Sequence, residues 1–223
     1  MIVKLRIGGI THELVLPDED SDKNFSSPFN YLVKHRGMAE HYLNIIYDMS
    51  RTLPKGQDVT DLMGGIGVFA KVLWNLLDPK SWTLVEIDPQ CQLYVQEPRA
   101  NFVLASAYDN PKLSPIVYID QATGTLRTIA DNMDGRKGMY DAIKEQRPEH
   151  VIITDFGYYW IHLPNHAPWY IKNFGEKPDK KRYHLYWDDW FKRNLNYRIH
   201  RFETGAGSQY FHMVPDETPR LSK

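Results

Sequence analysis

This chain of 223 residues has a single cysteine, almost no net charge and no long apolar run. Its one cysteine, Cys91, excludes an intramolecular disulfide framework and a zinc site built from several cysteines. The formal net charge is −1, so no overall field draws the chain to a nucleic acid or a membrane surface. No apolar run is long enough to span a bilayer, and the first residues lack the apolar core of a signal peptide. We therefore expect a soluble, cytoplasmic protein with no membrane partner.

The histidines do not predict a metal site. His162 and His166 are four residues apart, but Pro164 between them interrupts a helical face. Hydrophobic residues make up 42% of the chain and aromatic residues 13%, which is typical of a folded protein and not of a disordered one. The length fits a single domain, 1–223, with a full hydrophobic core.

The most informative segment joins a short apolar strand, a glycine turn and an amphipathic helix. The strand contains Asp61, the turn contains Gly64, Gly65 and Gly67, and a second apolar strand about twenty residues later ends in Glu86. Glycines let the backbone approach a ligand, and a helix N-terminus presents unpaired N–H groups. An acid at the tip of the second strand can accept hydrogen bonds from both hydroxyls of a ribose. The segment predicts a nucleoside-cofactor site at the carboxyl ends of parallel strands.

The acid before the glycines distinguishes between cofactors. The spacing of Gly65, Gly67 and Ala70 also fits the fingerprint of a dinucleotide site. Asp61 would repel a pyrophosphate, however, whereas it suits a cofactor that carries an amino acid and a sulfonium. The runs V-x-D-L-M-G-G-I-G and V-E-I-D-P resemble motif I and the second-strand acid of class I S-adenosylmethionine-dependent methyltransferases. The alternative is the strand, turn and helix of another doubly wound domain that binds no cofactor.

This resemblance implies a Rossmann-like α/β fold with a mostly parallel sheet, a C-terminal antiparallel hairpin and S-adenosyl-L-methionine as the cofactor. The glycine turn would face the methionine end of the cofactor. Asp61 would orient its amino group, and Glu86 would bind its ribose hydroxyls. Ser106 or Asp109, which follow the third strand, would bond its adenine.

Periodicity and turn residues predict the other elements. Alternating residues around Gly8-Gly9 predict an N-terminal hairpin over 1–16, and two β-rich runs around a glycine predict an inserted hairpin over 116–129. The central strands are expected near 58–62, 82–87, 101–105 and 150–155, and two last strands near 197–202 and 209–214.

The end of the fourth predicted strand resembles a second motif. Amino-methylating nucleic-acid methyltransferases carry D-P-P-Y there, in which the acid accepts from the target amine and the tyrosine stacks on the extruded base. Asp155 and Tyr158 match this motif, although Phe156-Gly157 replaces the two prolines. Phe156, Tyr159 and Trp160 would add stacking surfaces for the substrate. The alternative is an ordinary acid at a strand end, with aromatic residues packed on the sheet.

The segment before motif I resembles the start of DNA adenine methyltransferases of the Dam type. In that family a lysine and an aromatic residue of this segment close over the cofactor, and Lys34 and Tyr31 would be those residues. The family's glycines are missing here, and the alternative for Lys34 is a lysine on a solvated loop.

Basic and aromatic residues are interleaved between Tyr170 and Arg201. Lys180, Lys181 and Arg182 would bind phosphates, as in proteins that hold single-stranded or flipped bases. The alternative is a solvated helix over 183–195 whose aromatic face lies in the core.

Three functions remain open from the sequence. The first is methyl transfer to an exocyclic base amine of DNA or RNA, and the second is a small-molecule or protein methyltransferase. The third is a methyltransferase-like module that no longer catalyses and serves to bind a protein partner or to form an oligomer.

Overall fold

The computed structural model describes residues 1–17, 32–33, 35–120, 133–155, 171, 175 and 182–217. Its helices are α1 (Arg36–Ser50), α2 (Val68–Leu77), α3 (Met133–Gln146) and α4 (Tyr183–Leu195), with a 3₁₀ helix at Pro89–Tyr94. Its strands are β1 (Ile2–Ile7), β2 (Ile10–Val15), β3 (Asp58–Leu62), β4 (Ser81–Glu86), β5 (Asn101–Leu104), β6 (Ile116–Ile119), β7 (His150–Asp155), β8 (Tyr197–Gly205) and β9 (Ser208–Pro215).

Seven strands form the main sheet, in the order β5-β4-β3-β6-β7-β9-β8. The first five run parallel, and β9 lies antiparallel to both β7 and β8. The predicted fold class is therefore confirmed: a mostly parallel α/β sheet with a C-terminal antiparallel hairpin. Because parallel strands end at one edge, the residues that follow β3, β4, β5 and β6 are brought side by side.

The inserted hairpin predicted over 116–129 is wrong in its first half. Residues 116–119 form β6, a central strand that pairs with β3 on one side and β7 on the other. All four residues of β6 are buried, as expected for a parallel strand covered on both faces. The second half of the predicted hairpin, 121–129, lies outside the described residues. The strand 150–155, predicted as the fourth, is consequently the fifth parallel strand.

The predicted N-terminal hairpin forms a separate two-stranded sheet of β1 and β2. Leu5, Ile7 and Leu14 are fully buried on its inner face, which packs with α1 and α2 in one hydrophobic cluster. Gly8 in its turn has φ +58°, and a Cβ there would lie 2.3 Å from the Tyr47 ring of α1. The close approach of α1 therefore requires glycine at this position.

Alternate residues of each strand feed hydrophobic clusters on opposite faces of the main sheet. Tyr118 of β6 belongs to the cluster with α1 and α2, whereas Val117 belongs to the cluster with α3 and α4. Helix α4 spans the predicted residues, and its Trp187, Trp190 and Phe191 are buried in the second cluster. None of the helices in the described part of the chain is long and apolar enough to cross a membrane.

Candidate functional site

The glycine turn connects β3 to α2 at the carboxyl end of the sheet. Gly67 donates from its N–H to the Gly64 carbonyl at 2.8 Å and precedes α2 with φ +74°. A Cβ on Gly67 would lie 2.8 Å from Leu84 Cδ1, so the turn packs directly on β4. Gly65 has φ +53° and open space around its Cα, which leaves room for a ligand against the backbone.

Asp61, on β3, is fully buried. Neither of its carboxyl oxygens has a hydrogen-bond partner among the described residues. A Cβ on Gly64 would lie 2.8 Å from Asp61 Cγ, so the turn covers this carboxyl directly. Burial raises the pKa of Asp61 well above its ordinary value, the carboxyls of Asp120 and Glu86 raise it further, and the neighbouring Trp82 side chain lowers it. A buried, unpaired acid costs stability, which points to a ligand that supplies a positive or donor group.

Glu86 ends β4 beside the glycine turn, as predicted. Its Oε2 accepts from the Gly65 N–H at 3.0 Å, and its Oε1 accepts from the N–H groups of Ile87 at 2.7 Å and Asp88 at 3.1 Å. These backbone donors hold the carboxylate at the strand tip and tie it to the turn. A carboxylate has about four acceptor positions, and the three backbone donors use two on Oε1 and one on Oε2, so Oε2 keeps room for one further donor.

Ser106 and Asp109 lie in a tight turn after β5. Ser106 Oγ accepts from the Tyr108 N–H at 3.1 Å, and the Ser106 carbonyl accepts from the Asp109 N–H at 3.2 Å. Ser106 is half-buried, whereas Asp109 is exposed. Since β5 pairs with β4, this turn follows the strand next to Glu86 at the same edge of the sheet.

Asp120 follows β6 and was missed as a site residue in the sequence. Its N–H donates to the Leu62 carbonyl at 3.2 Å, which places it next to the end of β3. Its Oδ1 accepts from the Tyr42 hydroxyl at 2.5 Å and from Thr154 Oγ1 at 3.0 Å. The run Ile116-Val-Tyr-Ile-Asp120 was the available signal, because it reads as a buried strand ending in an acid.

The electrostatics of Asp120 resemble those of Asp61. Burial raises the pKa of Asp120, the hydrogen bonds from Tyr42 and Thr154 lower it, and the nearby Glu86 raises it again. Asp61, Glu86 and Asp120 therefore act on one another at the ends of three adjacent strands. Such a group of acids favours a ligand that carries positive charge.

Of the other predicted site residues, Asp155 has its backbone at this same edge, because β7 runs parallel to β6. Asp155 ends β7, but its side chain lies outside the described residues, as do Lys34, Phe156, Tyr158, Tyr159, Trp160, Lys180 and Lys181. Arg182 caps α4, is exposed, and lies 5.7 Å from the centre of the Tyr186 ring. Within the described ranges, no cluster of three or more His, Cys, Asp or Glu side chains could hold a metal ion.

Two cations of α4 are neutralised within the helix. Lys192 Nζ lies 2.6 Å from Asp188, and Arg193 lies 2.7 Å from Asp189. Both pairs join residues four apart on one helix face. This arrangement agrees with a solvated helix surface more than with a row of free phosphate-binding cations.

Comparison with known proteins gives the fold a precedent. No protein-family model and no curated protein matches the chain. An O-methyltransferase of neocarzinostatin biosynthesis, in complex with S-adenosylmethionine and 2-hydroxy-5-methyl naphthoic acid, is 14% identical with a TM-score of 0.52, covering 87% of this chain and 59% of that one. A putative RNA methyltransferase from Pyrococcus horikoshii is 11% identical with a TM-score of 0.51, covering 79% of this chain and 83% of that one.

A third solved structure, a protein of the NADB-Rossmann superfamily from Streptococcus agalactiae, is 10% identical with a TM-score of 0.50. The match covers 78% of this chain and 68% of that one. At such low identity these matches concern the fold alone. The chain has a Rossmann-like α/β fold, which these three solved structures share.

Proposed function

We propose that the chain is an S-adenosylmethionine-dependent methyltransferase. The observation that carries this proposal is the fully buried, unpaired carboxyl of Asp61 under a glycine turn in this fold. A cofactor with an α-amino group and a sulfonium would give that carboxyl a donor and a positive charge. A dinucleotide pyrophosphate would instead add negative charge beside three acids.

The residues present fit this cofactor. Its methionine end would lie along the glycine turn, where Gly65 leaves open space, and Glu86 would accept from a ribose hydroxyl through the position that remains free on Oε2. Ser106 or Asp109 would bond the adenine. Lys34, outside the described residues, is proposed to close over the site.

For the substrate, we propose an exocyclic base amine of DNA or RNA. When bound, the cofactor supplies a methyl group activated by a sulfonium, so the protein needs mainly to orient the amine. Asp120 is placed for this role because Tyr42 and Thr154 hold its Oδ1, leaving Oδ2 to accept from the amine. By accepting one N–H of the amine, Asp120 would turn the nitrogen lone pair toward the methyl group that the bound cofactor would supply, and the proton that the nitrogen gives up would pass to solvent.

Asp155 remains the alternative acid proposed from the sequence motif. In that version Tyr158 stacks on the base, Phe156, Tyr159 and Trp160 line the substrate, and Lys180, Lys181 and Arg182 bind phosphates. Exchanging each acid for its amide, Asp120→Asn or Asp155→Asn, separates the two versions. Replacing the acid that faces the amine should lower kcat about a hundredfold, which is within the range for a group that positions a reacting atom. Replacing the other acid should have a smaller effect on kcat.

The cofactor assignment is tested by calorimetry with S-adenosylhomocysteine. The wild-type chain should bind it, and Asp61→Asn should weaken binding by roughly 10- to 100-fold, since a charge-assisted hydrogen bond is lost. Asp58→Asn is the matched control, because Asp58 begins the same strand and accepts from Ser81 Oγ at 2.7 Å. A wild-type chain that does not bind S-adenosylhomocysteine would contradict the proposal.

The substrate class is tested separately by incorporation of labelled methyl groups. Single-stranded DNA, duplex DNA, RNA, protein and small-molecule extracts would be offered in parallel to wild type and to the acid variants. Label in a polynucleotide that depends on Asp120 or Asp155 supports the base-amine proposal. Label only in protein or small molecules would redirect the substrate, and cofactor-free retention of a protein partner would indicate a non-catalytic module.

A further inference from the structure

Gln96 uses its side chain to complete an edge of the N-terminal hairpin. Its Oε1 accepts from the Val15 N–H at 2.8 Å, and its Nε2 donates to the Val15 carbonyl at 2.8 Å and to the Tyr94 carbonyl at 2.5 Å. Both polar backbone groups of Val15 that face away from β1 are thereby paired, as a neighbouring strand would pair them. Gln96 is only 8% exposed, so losing these bonds would leave buried polar groups unsatisfied.

The backbone of the same residue holds the glycine turn. The Gln96 N–H donates to the Ile66 carbonyl at 2.9 Å, and Ile66 lies between Gly65 and Gly67 with 1% of its surface exposed. The glycines on either side can adopt many backbone conformations, so contacts from outside the turn select one, and the Gln96 bond adds to the one that the Gly65 N–H donates to Glu86. One residue therefore joins the hairpin, through its amide side chain, to the turn, through its backbone.

The segment that carries Gln96 is itself anchored to α2. Glu97 and Arg99 form a bidentate pair with N–O distances of 2.6 and 3.0 Å, and the Arg99 guanidinium lies 4.3 Å from the centre of the Trp74 ring. The Glu97 side chain is buried. The segment that carries Gln96 is therefore held to α2 by Arg99 and to the hairpin by Gln96.

We propose that Gln96 is a positioning residue for the cofactor turn, and that through it the N-terminal hairpin and the cofactor site stabilise each other. This inference rests on the proposed function only where it predicts an effect of the bound cofactor. A ligand that orders the turn should protect the Val15 amide, and loss of the Gln96 side chain should loosen the turn. Such coupling is reciprocal, because both effects reflect one free energy between two sites.

Gln146 provides a matched control elsewhere in the fold. Its Oε1 accepts from the Leu113 N–H at 2.8 Å, and its Nε2 donates to the Pro111 carbonyl at 2.9 Å. It therefore fastens a loop by the same side-chain chemistry, at the amino end of β6 and away from the glycine turn. The variants Gln96→Met and Gln146→Met remove the amide with little change in side-chain length.

The first experiment needs no ligand: amide hydrogen exchange of the folded variants, with melting curves to confirm that they fold. Gln96→Met should speed exchange at Val15 and also at the turn amides of Gly65 and Gly67 by at least about fivefold, the lower end of site-to-site coupling. Gln146→Met should speed exchange only around 111–113. Faster exchange at Val15 with unchanged exchange in the turn would overturn the inference. Gln96 would then stabilise only the edge of the hairpin.

The second experiment adds S-adenosylhomocysteine. In the wild type it should slow exchange at Val15, and Gln96→Met should weaken its binding by at least about fivefold while Gln146→Met stays within about twofold. Gln96→Glu, which keeps the acceptor but loses the donor, should fall between wild type and Gln96→Met. Normal binding by Gln96→Met would overturn the coupling, whereas absence of binding by the wild type would contradict the proposed function and leave the ligand-free result to decide the inference.

Discussion

The carboxyl end of the parallel strands and the C-terminal hairpin each bury a titratable side chain, but they treat it differently. In the hairpin, His212 of β9 is 2% exposed, and its Nε2 shares a hydrogen bond with His150 Nδ1 at 3.0 Å, whereas its Nδ1 has no partner among the described residues. At the strand ends, Asp61 is fully buried, and neither of its carboxyl oxygens has a hydrogen-bond partner in the described structure. The histidine ring keeps one of its two polar atoms paired, whereas the carboxyl keeps none, so Asp61 has the greater need of a ligand to explain its burial.

The two groups also give folding stability opposite pH dependences. Burial lowers the pKa of His212 to about 3, with the neighbouring His150, His200 and Arg201 acting in the same direction. Burial raises the pKa of Asp61. Between pH 4 and 6.5, His212 is therefore protonated in the unfolded chain but neutral in the folded chain. Asp61 is ionised in the unfolded chain but protonated in the folded chain.

The largest change is expected from Asp61→Asn. This variant should raise the free energy of unfolding at pH 7 by about 2–3 kcal/mol, because folding no longer has to protonate a buried carboxyl, although the unpaired amide offsets part of the gain. Chemical denaturation of wild type, Asp61→Asn and Asp58→Asn measures it. The gain should shrink as pH falls toward 4, where the unfolded chain also protonates Asp61. An unstable Asp61→Asn that still binds S-adenosylhomocysteine normally would reverse the comparison and make Asp61 a structural residue.

The next largest effect concerns His212. Because its pKa is lowered in the folded chain, stability is fully present above pH 6.5 and is lost as pH falls, by about 2 kcal/mol between pH 6.5 and 4.5. His212→Gln should flatten this slope, whatever its stability at pH 7. His35→Gln, at an exposed position before α1, is the control and should leave the slope unchanged. Equal slopes in wild type and His212→Gln would mean that His212 does not titrate on unfolding.

Two glycines of the turn separate stability from binding. Gly64→Ala should cost about 1–2 kcal/mol, because its Cβ would meet Asp61 Cγ at 2.8 Å and Leu84 Cδ2 at 2.9 Å. Gly65→Ala meets no atom and pays only for its positive φ, about 1 kcal/mol, but it places a methyl group where the ligand would lie. Melting curves measure the loss of stability, and calorimetry measures the loss of affinity for S-adenosylhomocysteine. Gly65→Ala should lose more affinity than Gly64→Ala, although it loses less stability. The reverse order would move the ligand away from Gly65.

The smallest effect is expected on the solvated face of α4. Arg193→Ala breaks an exposed pair with Asp189 and should change the free energy of unfolding by no more than about 0.5 kcal/mol. Asp188→Ala should cost about 1 kcal/mol, because Asp188 Oδ1 also accepts from the Ile199 N–H at 2.7 Å. Denaturation at low and high salt measures both, and only the Arg193 effect should vanish at high salt. A large loss of stability in Arg193→Ala would show that this exposed ion pair contributes as much to the fold as the partly buried contacts of Asp188.

Much of the fold could be read from local patterns. Alternation around Gly8-Gly9 predicts the N-terminal hairpin, and an apolar run before a glycine turn predicts β3 and α2. Each of these signals depends on residues close in the chain, so no knowledge of distant contacts is needed. The same holds for the position of Glu86 beside the glycine turn, because the length of α2 sets the return to β4.

The misplacement of β6 shows where local patterns stop. Residues 116–119 are apolar and β-branched, which suits a hairpin strand as well as a buried parallel one. Only pairing with β3 and β7, residues that are tens of positions away, makes 116–119 a central strand. That choice also decides which acid stands next to Asp61, and it brings Asp120 into the site.

The sequence by itself determined the glycine turn, its acids and the strand-and-helix alternation, because these follow from backbone geometry and hydrophobic period. The tertiary structure alone decided the strand order, the burial of Asp61 with neither oxygen hydrogen-bonded among the described residues, and the link from Gln96 to both Val15 and Ile66. These features depend on long-range hydrogen bonds and burial, which arise only when segments distant in the chain pack together.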